Sequence, residues 1–338
     1  MSQYEQQPQQ WYPQPVYTPP PGMPPALTPP PGVVVPPGYY YAGPRPKPSP
    51  MPDVPRAYHD FYRAPAFRWW KVLVLLAAMV AGFAVVEFTV VIVLFAGGWV
   101  QFEDGQIVTN FPLFLGNNIG LALMIPVAFL LHWLIFRQRP GWLISITGRF
   151  RWGFFARCAG IVLVFELGTF AYEFASGGLG ELVWQPDGAI LAVAIVLTTP
   201  FQAAAEEIFN RGILFRGFGS LFKWRIPGLI AAAVFTSAVF MALHAAEDMW
   251  LNIYYFGFGL ISCFLIWQTG GLEAGIAFHI VHNLASESII PWTGVDGMFD
   301  RGAGTGDPIL LVYLGLHLIV AALIVWQAKR MKLPVLAR

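Results

Sequence analysis

From residue 72 onward the chain is a series of long apolar stretches parted by short polar connections. Eight stretches stand out: 72–97, 112–136, 154–174, 189–209, 226–246, 251–268, 271–290 and 308–326. A bilayer core of about 30 Å takes roughly 20 helical residues to cross. At these lengths only helices satisfy their own backbone groups in lipid. The pattern therefore predicts an all-α polytopic membrane bundle of about eight transmembrane helices, spread over residues 66–338. The fourth stretch is ambiguous. Its apolar character continues past Arg216 to Phe222, so it reads either as one long tilted helix or as a helix broken near Pro200.

Residues 1–65 are of another kind, holding 20 of the 29 prolines together with Gln, Tyr and Gly. Proline lacks the N–H that helices and ladders need, and such a segment cannot bury enough apolar surface to offset its ordering entropy. It reads as a disordered, partly polyproline cytoplasmic tail, either a solvated tether with no dedicated partner or one whose PPPG and TPP runs dock an aromatic groove in a partner.

Composition agrees with the membrane reading. The 338 residues are 56% hydrophobic and only 12% charged, where a soluble domain carries about 25% charged residues. A net charge of +1 implies no nucleic-acid partner. Cys158 and Cys263 both lie in apolar stretches and read as small packed residues. The placement of charge says more than its amount. With the tail inside and the connections alternating, 19 of the 20 Lys and Arg fall on inner segments, and only Arg301 falls outside. Nine acidic residues, from Glu103 to Asp307, fall on outer connections. This positive-inside pattern puts both termini in the cytoplasm.

Ionisable groups at membrane depth cost several kcal/mol and persist where they pair, face water or do chemistry. Three groupings stand out. Glu206, Glu207 and Arg211 form E-E-x-x-x-R. Glu207 and Arg211 at i and i+4 share a helix face, which leaves Glu206 about 100° away and free to point elsewhere. Phe240 and His244 form F-x-x-x-H, and His279 and Asn283 form H-x-x-x-N, with His282 near the face of His279. Taken singly, each is also what a bundle makes of an ion pair or a polar helix contact. Together, a carboxylate, two imidazoles and an amide on separate spans are the parts that bind and activate a water. A straight fifth span starting inside places His244 about 27 Å up its length, higher than Glu206 and His279.

In order and spacing these three motifs resemble the CPBP family of intramembrane proteases, which includes the CAAX-prenyl proteases and bacteriocin-processing enzymes. The resemblance covers about residues 140–290. It implies an eight-helix intramembrane endopeptidase that hydrolyses membrane-associated peptides or proteins. Glu206 would be the water-activating base, with His244, His279 and Asn283 completing the site and Glu207, Arg211 and Phe240 supporting it. Two mechanisms go with the family, one without metal and one with zinc; on this chain the zinc ligands would be Glu206, His244 and His279. The expected setting is a bacterial cell membrane, with lipid and a membrane peptide as partners. Two other readings share these residues: an inactive scaffold or bacteriocin-immunity protein, and a proton-coupled transporter. The chain shows no internal repeat of the kind transporters carry.

Overall fold

The computed structural model describes residues 34, 47–103, 106–295 and 301–337. It is an all-α, multi-pass membrane protein. Helices α1 (Trp69–Ala96), α2 (Phe111–Phe136), a short α3 (Pro140–Ile144) and α4 (Trp152–Ser176) come first. Next, α5 (Gly188–Glu207) runs through a π-helical segment (Ile208–Phe215) into α6 (Arg216–Leu221). Then follow α7 (Arg225–Leu243), α8 (Met249–Thr269), α9 (Glu273–Glu287), α10 (Ile290–Thr293) and α11 (Ile309–Arg330). One hairpin, β1 (Gln101–Glu103) with β2 (Gln106–Val108), pairs antiparallel between α1 and α2.

Among the described residues, seven helices are long and apolar enough to cross a membrane. Their flanks carry large exposed side chains such as Val85, Phe88, Val164, Phe174, Val196 and Leu197. An apolar surface of this extent belongs against lipid. The remaining stretch, 271–290, is the 15-residue α9 followed by α10. It is too short to count among the seven, yet it still carries the chain across, from the α2–α4 connection, where Ile146 N donates to Gly270 O, to the α4–α5 connection, where Gln185 N donates to Pro291 O. At 1.5 Å per residue α9 is about 22 Å long, and its first seven residues, Glu273–His279, are all buried. It is an interior helix held between α4, α5 and α8. Its start is anchored by Glu273, fully buried and bidentate with Arg151 at 2.6–2.8 Å; an acid in the first turn also suits the helix dipole. The turn before it needs Gly270, at φ 68°, where a Cβ would stand 2.6 Å from the Pro334 carbonyl.

The fourth span proves to be one continuous helix. Pro200 lies inside α5 without ending it, and helical backbone runs 34 residues, Gly188–Leu221. That is about 51 Å, far more than the hydrocarbon thickness. The helix can continue because its two buried cations are accommodated. Arg211 pairs with Glu207. Arg216 donates to the Trp142 carbonyl and lies over the rings of Tyr58 at 3.9 Å, Phe61 at 5.0 Å and Tyr62 at 5.5 Å.

Those three rings correct the expected tail boundary at residue 65. The compact unit begins at Ser49. Tyr58, His59, Asp60, Phe61 and Tyr62 are buried, with a 3₁₀ turn at Tyr58–Asp60. The Tyr58 hydroxyl donates to Leu143 O at 2.5 Å. Tyr62 Oη is 3.0 Å from His132 Nδ1, and Ala337 N donates to Arg56 O at 2.8 Å. Burial pushes both tyrosine hydroxyls well above their ordinary pKa. The proline count concealed this aromatic run, which supplies the apolar area that ordering requires. The polyproline runs and their docking role lie outside the described residues.

Candidate active site

Glu206 and Glu207 end α5 where the backbone widens into the π-helical segment, a feature frequent at functional sites. Their carboxylates diverge as the helical step requires. Glu207 is fully buried. Its Oε1 meets Arg211 Nη1 at 3.0 Å and His279 Nδ1 at 3.0 Å, and its Oε2 accepts from Ser262 Oγ at 2.6 Å. Glu206 keeps about 20% of its side chain exposed. One of its oxygens accepts from Gln202 Nε2 at 2.5 Å, and the other stands 3.8 Å from His279 Nε2.

Glu207 thus does more than balance Arg211. By accepting from His279 Nδ1–H it selects the tautomer and aims Nε2 at Glu206. The 3.8 Å gap is too long for a direct hydrogen bond and of a size that one water can bridge. Gly275, one turn before His279, allows this approach. A Cβ there would lie 2.8 Å from Glu207 Oε2 and 2.9 Å from Ser262 Oγ. Gly275→Ala is therefore expected to lower turnover at least about tenfold while leaving the protein membrane-inserted, since small displacements of catalytic groups are costly; wild-type turnover would show that Glu207 can shift freely.

Asn283 lies one turn beyond His279 on α9, and its Nδ2 donates to Gln202 Oε1 at 3.1 Å. Gln202 therefore joins Glu206 to Asn283. Sequence reasoning missed it, although its i−4 relation to Glu206 was a visible signal. Phe240 is the hub of the aromatic packing: its ring centroid is 5.8 Å from that of His279, 4.6 Å from that of His244 and 4.6 Å from the Arg211 guanidinium. Through Phe240 these contacts bring His244 beside His279 despite its position at the end of α7.

His244 caps the end of α7. Its Nδ1–H donates to Phe240 O at 2.8 Å, and its ring stacks on Tyr255 at 3.9 Å. Arg301 steadies this corner by donating to His244 O and Tyr255 Oη, each at 3.2 Å. The cation that broke the positive-inside pattern is thus a brace for the site. Nearby, Asp248 caps α8 and accepts from Leu251, Gly304 and Trp250 N–H groups, which hold its carboxyl below the usual range.

His282 departs from expectation. It turns away from Glu206 toward Glu166, His317 and Tyr254. The proposed zinc ligands Glu206, His244 and His279 are also not gathered for a metal. Among the described residues, the one group of three such side chains with ligand atoms within 4.8 Å of one another is Glu166, His282 and His317.

Comparison with known proteins places the same residues in one segment. The uncharacterized protein YyaK of Bacillus subtilis (strain 168) is 23% identical over 283 residues, covering 77% of this chain and 91% of that protein. No solved structure matches the chain. A family model, the type II CAAX prenyl endopeptidase Rce1-like family, matches residues 188–285, the segment that holds all three motifs. The resemblance to the CPBP intramembrane proteases is thereby shown at the level of the family, across the segment from the start of α5 to Asn283 and just beyond.

Proposed function

We propose that this protein is an intramembrane endopeptidase in which Glu206 activates a water against a membrane-associated peptide, with His244, His279 and Asn283 completing the site. The observation that carries this reading is the division between the two carboxylates. Glu207 is saturated by Arg211, His279 and Ser262, whereas Glu206 is partly exposed and faces His279 Nε2 across a water-sized gap.

The chemistry follows from these positions. Glu206 takes a proton from the water as the oxygen attacks the scissile carbonyl carbon. The carbonyl oxygen becomes an oxyanion. Asn283 has a second amide N–H beyond the one given to Gln202, and that N–H can stabilise the oxyanion. His244 would meet the substrate through Nε2, its Nδ1 being fixed on Phe240 O. Collapse of the tetrahedral intermediate breaks the C–N bond, and the proton held on Glu206 passes to the leaving amine. This scheme needs no metal, because Glu206 itself accepts the proton from the water.

The test is cleavage of a model membrane peptide by purified protein. Asn283→Ala should reduce turnover ~10²–10³-fold, the usual cost of one oxyanion donor, with expression unchanged. Undiminished turnover would remove Asn283 from the site, and no cleavage by the wild type under any condition would favour a scaffold or immunity role.

The orientation proposed is both termini in the cytoplasm of a bacterial cell membrane. Reporter fusions after residues 180 and 300 should signal from the outer side. A cytoplasmic signal at residue 300 would break this topology.

A further inference from the structure

About 60° round α9 from His279 lies a second polar centre that the proposed hydrolysis leaves unused. Glu166 on α4, His282 on α9 and His317 on α11 converge there, their ligand atoms within 4.8 Å of one another. Glu166 Oε1 is 3.1 Å from His282 Nδ1 and 3.5 Å from His317 Nε2. We propose that Glu166, His282 and His317 form a binding site for a divalent transition-metal ion of the zinc class, clamping three helices together. This site is distinct from the Glu206 centre and does not depend on the hydrolytic reading.

Four observations support it. Ligands at 2.0–2.1 Å from a tetrahedral zinc lie about 3.3–3.4 Å from one another, and the two measured separations bracket that value. Two histidines and one carboxylate make a zinc set with a fourth position left for water. The two rings stand nearly perpendicular, at 86° with centroids 5.0 Å apart, so both imidazoles can address one ion without stacking. Finally, the nitrogen of His282 that faces away from the cluster is engaged: Nε2 is 3.1 Å from Tyr254 Oη. That is the outer-shell partner a metal-binding histidine uses to fix its tautomer. The surroundings are otherwise aromatic, with Phe258 and Phe278 against the His317 ring at 6.0 and 5.0 Å. An unmetallated cluster here would leave a carboxylate and two imidazoles to satisfy one another in an apolar setting, and His317 Nδ1 has no hydrogen-bond partner among the described residues.

The clamp has a consequence for the neighbouring site. Phe258 touches both histidines of α9, 5.1 Å from His279 and 5.4 Å from His282. Fixing His282 therefore fixes the rotation of α9 that presents His279 and Asn283. It also means that zinc found in the purified protein would not by itself identify a metalloprotease.

The experiment uses full-length, tag-free protein in detergent, stripped with chelator and titrated with zinc. The readouts are metal content by elemental analysis and the thermal transition. The wild type should retain one equivalent and show a higher transition with zinc, since an ion bound only to the folded state stabilises it. His317→Gln and Glu166→Gln should lose both effects, whereas His244→Gln should keep them. Cobalt titration of the wild type adds a readout independent of variant folding: intense visible bands of a four- or five-coordinate ion are expected. The proposal is overturned by absence of zinc binding in the wild type, by undiminished binding in His317→Gln, by loss of zinc in His244→Gln alone, or by a weak six-coordinate cobalt spectrum.

Discussion

Glu206→Gln is expected to give a folded, membrane-inserted protein with cleavage reduced at least ~10²–10⁴-fold, the range for loss of a general base. Glutamine keeps the shape and one hydrogen-bonding oxygen, so the contact with Gln202 can persist, but it cannot accept the proton. The partner variant Glu207→Gln should fail differently. Arg211 is completely buried and has Glu207 as its counter-charge at 3.0 Å. Removing one partner of a buried ion pair typically costs about 3–5 kcal/mol, and His279 loses the acceptor that fixes its tautomer. The paired measurement is peptide cleavage together with thermal denaturation in the same detergent. Glu206→Gln should lose rate with its transition nearly unchanged, and Glu207→Gln should lose its transition temperature as well. Substantial cleavage by Glu206→Gln would sink the assignment of the base. Equal loss of stability in both variants would sink the division of roles between the carboxylates.

The second large effect concerns the N-terminal boundary. Deleting residues 1–48 should leave the thermal transition close to that of the full chain, because the compact unit starts at Ser49. Deleting residues 1–65 should lower it by roughly 10 °C or more. That deletion removes Tyr58, Phe61 and Tyr62, each buried and each against the fully buried Arg216 guanidinium. Removing one buried aromatic side chain costs about 3–5 kcal/mol, and 1 kcal/mol moves the transition by roughly 2–4 °C in a chain of this general size. The Arg56–Ala337 and Tyr62–His132 hydrogen bonds disappear with them. If both truncations melt alike, the aromatic run is decoration on the bundle and the original boundary at residue 65 stands.

Most of the membrane architecture was legible in the chain because it depends on local properties. Length and apolarity make a span, and seven of the eight expected stretches are spans by that measure. The Glu207–Arg211 pair and the common side of His279 and Asn283 were legible for the same reason, since helical neighbours at i and i+4 need no knowledge of the rest of the fold. Where local pattern misled, a longer-range fact had intervened. The stretch 271–290 is apolar enough to suggest an ordinary lipid-facing span, yet it crosses as a shorter interior helix because α4, α5 and α8 surround it. His282 shares a helix with His279, yet Glu166, 116 residues away in sequence, draws it to another cluster.

The sequence by itself thus determined the helical membrane class and the chemical inventory of the site: which carboxylate is balanced, which imidazoles and which amide are on hand. The tertiary structure decided which of these groups touch. It joined Gln202 to Asn283 across 81 residues and Glu207 to His279 across 72, and it brought Glu166, His282 and His317 from three helices to one point. The physical reason is that helix formation is written in near-neighbour periodicity, whereas convergence between helices depends on how whole faces pack, on close approaches such as Gly275 against Glu207, and on buried cations finding partners far along the chain, as Arg216 does with Tyr58.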